Sequence, residues 1–105
     1  MIHAVAIFRT KPELRAEALK AFQELARDVL NEPGCLEYAV TVDAQGLKPS
    51  KGTLGEDAVA IVEKWKSMAD FQAHTQAPHM AEFSTKAKDY LLSRIVHVLQ
   101  SEGAV

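Results

Sequence analysis

Two hydrophobic periods alternate along this chain, and their order constrains the fold more than any single residue does. Residues 2–9, with Ile2, Val5, Ile7 and Phe8, are rich in β-branched and aromatic side chains and predict a strand. From Leu14 the apolar residues step by three and four through Ala18, Phe22, Leu25 and Val29. That is the period of a helix with one buried stripe, running to about Leu30. Glu32-Pro33-Gly34 stops it. Leu36, Tyr38, Val40 and Val42 then alternate with Glu37, Ala39 and Thr41, giving a second strand. Residues 58–66 predict a third, with Val59, Ile61, Glu63 and Trp65 on one face. A short helix follows to about Gln76. Pro78 restarts a helix with the stripe Met80, Phe83, Ala87 and Leu91, and residues 94–100 form the last strand. The order β-α-β-β-α-β predicts an α+β, ferredoxin-like fold: a four-stranded antiparallel sheet with helices on one face.

Local signals refine the boundaries. Thr10 and Glu13 have the spacing of a capping box, with Pro12 tolerated in the first turn of the helix after it. Ser67 and Asp70 form a second such pair. Residues 43–57 read as a long loop holding four turn-forming residues, Gly46, Pro49, Gly52 and Gly55. Alternation assigns Leu36, Tyr38, Val40, Ile61, Ile95 and Leu99 to the helix-covered face. The other face still carries Ile2 or Val5, Ala39, Ala60, Val62, Val96 and Val98. A bare sheet face of that character is a large apolar patch, and two copies packing sheet on sheet would cover it. A homodimer is therefore expected.

Composition excludes several classes. The 105 residues suit a single domain over 1–105, and no repeat or linker divides them. With 48% hydrophobic and 25% charged residues, the chain is not a disordered one. Twelve basic against fourteen acidic residues leave no cationic excess to bind nucleic acid or an anionic membrane. Cys35 is the single cysteine, so no intramolecular disulfide can form. The start lacks a basic leader, and no apolar run approaches about 18 residues. A cytoplasmic location is expected.

The residues with chemistry in them cluster in Glu63-Lys64-Trp65-Lys66-Ser67 and in His74-Thr75-Gln76-Ala77-Pro78-His79-Met80. Trp65, the single Trp, is either a packing residue or an aromatic wall for a planar ligand. His74 and His79 stand five apart across Pro78, whereas a helical zinc pair needs four, so metal binding is not expected. His74 falls near a helix C-terminus, which favours its charged form, and His79 just inside a helix start, which favours the neutral one. Such divergent environments suit an acid and a base, although either ring could equally fill a gap. His3 and His97 read as sheet residues. Cys35 has no local base, which argues against a nucleophile. Lys48, Lys51 and Arg9 could meet an anion, or simply be solvated. No phosphate-binding or dinucleotide glycine motif is present.

Pro33-Gly34-Cys35-Leu36-Glu37-Tyr38, Glu63-Lys64-Trp65 and the stretch from His74 to Met80, in that order on a βαββαβ plan, resemble the antibiotic biosynthesis monooxygenase domain family. The likeness spans about residues 2–100 and is nearest to small bacterial proteins of the quinol monooxygenase type. It implies a dimeric α+β barrel. It also implies oxygenation of an electron-rich aromatic or quinol by O2 as co-substrate, with no flavin, metal or haem. Trp65, His74 and His79 fall on the family's recurring Trp and His positions. Haem-degrading members carry a ligating Asn at the end of the first strand, near where Phe8 stands here, which argues against haem. On this resemblance His79 is the expected base, and His74 hydrogen-bonds or returns the proton. Trp65 and Tyr38 are pocket walls, with Phe71, Met80 and Phe83 as apolar lining. The family also holds an isomerase of a small phosphorylated signalling sugar. A non-enzymatic binding or stress protein with a hydrophobic pocket is a further alternative.

Overall fold

The computed structural model describes residues 1–46 and 52–103. Its central strand is β1 (Ile2–Thr10), followed by α1 (Arg15–Leu30), β2 (Cys35–Thr41), β3 (Ala58–Trp65), α2 (Met68–Thr75), α3 (Pro78–Ala87) and β4 (Leu91–Gln100). The strands lie in the order β2-β3-β1-β4, and each neighbouring pair is antiparallel. This is the expected ferredoxin-like, four-stranded sheet. Among the described residues no helix is long and apolar enough to cross a membrane.

The registers fix which side chains meet the helices. One row runs across all four strands as Tyr38, Glu63, Ala4 and Val98, and the next as Val40, Ile61, Ala6 and Val96. These rows face the helices. Helix α1 lays Ala18, Ala21, Phe22, Leu25 and Val29 onto them, the stripe its spacing predicts. Phe22, 1% exposed, sits between Phe8 and Phe83, with ring centroids 4.7 and 4.9 Å away. Truncating such a residue to Ala costs about 3–5 kcal/mol.

Three local expectations are corrected. Thr10 does not cap α1. It is the last residue of β1, its amide donates to the Asp57 carbonyl (2.8 Å), and its hydroxyl is buried. Strand pairing takes Thr10 before the helix can. The helix instead begins after Leu14, which offers no side-chain cap, through a turn in which Glu13 has φ of 68°. Leu91 does not continue the stripe of α3, because that helix ends at Ala87 and Leu91 opens β4.

The third correction concerns the faces of β4. Ile95 and Leu99, expected under the helices, pair with Ile7 and His3 on the open face. Arg94, Val96 and Val98 take the helix side instead. The strand is apolar at both parities, so alternation cannot orient it. Pairing with β1, past an irregularity at Arg9/Thr10, decides. Leu36 falls in a second irregularity, between Cys35 and Glu37, and is exposed. The open face carries Val5, Ile7, Ala39, Ala60 and Val62, with Ile95 and Leu99 60% and 53% exposed. No helix covers it.

Candidate active site

The site is assembled by a turn, a helix cap and a strand end. After α1, the Glu32 amide donates to the Val29 carbonyl and the Cys35 amide to the Glu32 carbonyl. Gly34, at φ +77°, turns the chain into β2, and its carbonyl accepts from the Lys66 amide at 2.9 Å. A Cβ built on Gly34 would stand 2.1 Å from Asp70 Oδ2, so the turn rests directly on the first turn of α2. That turn is held by Ser67, whose hydroxyl oxygen accepts from the Asp70 amide (3.1 Å) and which donates to the Asp70 carboxylate (3.0 Å). The second expected cap is thus present. Together these contacts bring Glu32 beneath the end of α2 and the start of α3.

Glu32 is the hub. Its Oε2 lies 3.0 Å from His74 Nδ1 and 2.7 Å from His79 Nε2, and its side chain is 11% exposed. An ionised carboxylate only accepts hydrogen bonds, so each imidazole donates to it. That fixes the tautomer of neutral His74 as Nδ1–H and leaves Nε2 as a lone pair. Nε2 points toward Glu63 Oε1, at 3.7 Å. The same Glu63 oxygen accepts from the Trp65 indole N–H at 3.0 Å. His74 is buried among aromatic rings: Trp65 at 4.6 Å, Tyr38 and Phe71 each at 6.1 Å.

Burial sets the electrostatics. Removal from water pushes the Glu63 carboxyl above its ordinary value, opposed by the Trp65 hydrogen bond and by the His74 ring whenever it carries a proton on both nitrogens. The Tyr38 hydroxyl is pushed far up by burial and by the Glu63 and Glu32 carboxylates, so it stays a donor at neutral pH. Burial, then Glu32, also raises the Cys35 thiol, which argues against a thiolate nucleophile.

Two adjoining spaces open beside this cluster. The first, about 460 Å3, is lined by Tyr38, Glu63, Phe71, His74 and Met80. The second, about 260 Å3, lies between Phe8, Phe22, Phe83 and Leu91. Phe8, Tyr38, Met80, Ser84 and Arg94 line both. Volumes of this size suit small molecules, and the walls are largely apolar with a few polar groups.

Of the residues singled out from sequence, Tyr38, Phe71, His74, Met80 and Phe83 line these spaces. Trp65 does not. It is fully buried and holds Glu63 from behind. His79 lines neither space and stands on the other side of Glu32, near Ala21, Glu24 and Phe83. Arg9 is exposed on the open face, donating to the Leu54 carbonyl, while Lys48 and Lys51 lie outside the described residues. His3, on the same open face, bonds Ser101. Glu32 and Arg94 were not singled out, and Glu63 was named in the Glu63–Ser67 cluster without a role. Glu63 had a signal, being the one charged position on the inward face of β3. Among the described residues no group of three or more His, Cys, Asp or Glu is placed to hold a metal ion.

A four-stranded antiparallel sheet with helices on one face defines a ferredoxin-like protein, and a carboxylate-anchored histidine stands beside its partly open apolar spaces. The chain belongs to the antibiotic biosynthesis monooxygenase family, whose model matches residues 1–86. Over 103 residues it is 35% identical to YgiN of Escherichia coli (strain K12), a probable quinol monooxygenase, covering 95% of this chain and 97% of that protein. Solved structures from Deinococcus radiodurans (TM-score 0.84, 17% identity, 100% of this chain and 96% of that one) and Methanosarcina mazei Go1 (TM-score 0.81, 20% identity, 96% and 92%) share the fold.

Proposed function

We propose that this chain is a cofactor-independent monooxygenase that uses O2 on a small electron-rich aromatic or quinol substrate. The observation that carries the reading is His74, buried beside an apolar space with Nδ1 anchored on Glu32 and Nε2 left as a base. The name of the Escherichia coli relative points the same way.

In this reading the quinol enters the larger space and gives a hydroxyl proton to His74 Nε2. The anion that remains is electron-rich enough to reduce O2. One oxygen atom bonds to the ring and the other leaves as water, so quinol plus O2 gives hydroxyquinone plus H2O. Glu32 stabilises the imidazolium that forms, as a carboxylate does behind a catalytic histidine. Tyr38 donates to the developing oxyanion, and the aromatic walls keep water from reactive intermediates.

The sequence alone favoured His79 as the base. The geometry favours exchanging the two roles, because His79 does not line the space. Its side chain, 26% exposed, shares the carboxylate with His74 and so offers the proton a route outward. A homodimer is part of this reading, since the open sheet face is apolar and helix-free.

The test is oxygen uptake with a reduced naphthoquinol and with anthrone, with chelator present and no cofactor added. Wild type is expected to exceed spontaneous oxidation, and His74→Ala to lose about 10²–10⁴-fold of that excess. Uptake at the spontaneous rate in both proteins overturns the oxygenase reading and favours a binding protein, while equal uptake above that rate overturns the role of His74.

A further inference from the structure

The two ends of the paired spaces carry opposite chemistry. At one end stand His74 and Glu63. At the other, Arg94 lines both compartments and Lys88 lines the smaller one. Arg94 is the charged exception on the helix-facing side of β4, whose next such positions are Val96 and Val98. It pairs with Phe8 on β1, whereas Glu63 pairs with Ala4. The two therefore sit four residues apart along β1, about 13 Å at the rise of a strand. Among the described residues, neither Arg94 nor Lys88 has a carboxylate within 4 Å, the ion pairs there being those of His74 and His79. Glu63, the acidic residue lining the spaces, is at the far end.

A neutral quinol leaves the cationic end without a partner. We infer that the substrate is an aromatic acid, with its carboxylate on Arg94 and Lys88 and its oxidisable ring lying along Phe8 and Tyr38 toward His74. Both side chains are exposed where they border the spaces, and a guanidinium matches a carboxylate with two parallel hydrogen bonds. The inference rests on the monooxygenase reading for the fate of the ring, but not for the binding of the acid.

The experiment is calorimetric titration of the intact protein with 2-naphthoate and with 2-naphthamide, which share a ring system and differ in charge. The acid is expected to bind at least tenfold more tightly. Arg94→Gln should remove that preference while leaving the amide within about twofold, Arg94→Lys should keep part of it, and Lys88→Gln should reduce it less. Equal affinity for acid and amide, no binding of either, or a preference that survives in Arg94→Gln overturns the inference. Oxygen uptake with a hydroxylated naphthoate is scored separately. Charge-selective binding without uptake sinks the oxygenase and leaves the acid subsite standing.

Discussion

Glu32 shows how much a single side chain organises here. It accepts from two histidines that lie 42 and 47 residues further along the chain. Replacing it with Gln removes the ionised acceptor and leaves His74 free to rotate or change tautomer. Partners of this kind behind a reacting histidine are worth about 10–100-fold. Glu32→Gln should therefore lower kcat by that factor in the oxygen-uptake assay, with KM little changed. Glu63 gives a pH signature. Burial raises its carboxyl above the ordinary value, so the native state holds a proton that the unfolded chain has released. Its contribution to stability is full below the unfolded value and is lost as pH rises through the folded one. Thermal unfolding at pH 5 and pH 8 should show Glu63→Gln losing less stability across that range than wild type. The sequence made Tyr38 and His74 legible, because rare aromatic and titratable residues stand out in an alternating pattern, whereas Trp65, expected as a wall, is buried behind Glu63. Glu32 was illegible, since nothing local marks a helix-stop residue whose partners arrive from two later helices.

At the scale of elements, the turn at Gly34 and the start of α2 form one unit. Gly34→Ala meets two obstacles, a positive φ and the Asp70 carboxyl group. It should destabilise by more than about 1 kcal/mol, read as a lower urea midpoint. Adding Asp70→Ala should recover the steric part and not the backbone part. The Ser67 cap was legible and the Thr10 cap was not, although the two patterns look alike. Ser67 follows a strand that has already ended, at Trp65, so its hydroxyl is available to the helix. Thr10 is still inside a strand whose amide is engaged by Asp57. Strand β4 was misfaced for a related reason: a strand apolar at both parities carries no internal record of which side is in, and its partner supplies the answer. That error hid Arg94 from view.

For the whole molecule, the open face of the sheet is the basis for the proposed homodimer. Ile95 and Leu99 stand out from it, and Val5, Ile7 and Val62 lie beside them. A second copy packing its own sheet there would remove this patch from water. Sedimentation at micromolar concentration should give a dimer for wild type and a monomer for Ile95→Asp, with the far-UV spectrum unchanged. The apolar character of the open face was legible from strands apolar on both sides, whereas the direction in which β4 presents itself was not.

Strand β4 also bears on how this chain reaches its native state. Ile2 pairs with Gln100, so the central strand β1 gains its second neighbour only through contacts very distant in sequence. Contacts this distant in sequence slow folding, because the loop they close is entropically costly before they repay it. β1, α1, β2 and β3 can assemble first, with α2 docking behind them. The strand bearing Arg94 then closes the structure. A chain in which β4 has not yet docked could already hold its histidines close to Glu32, yet would lack Arg94 beside the spaces.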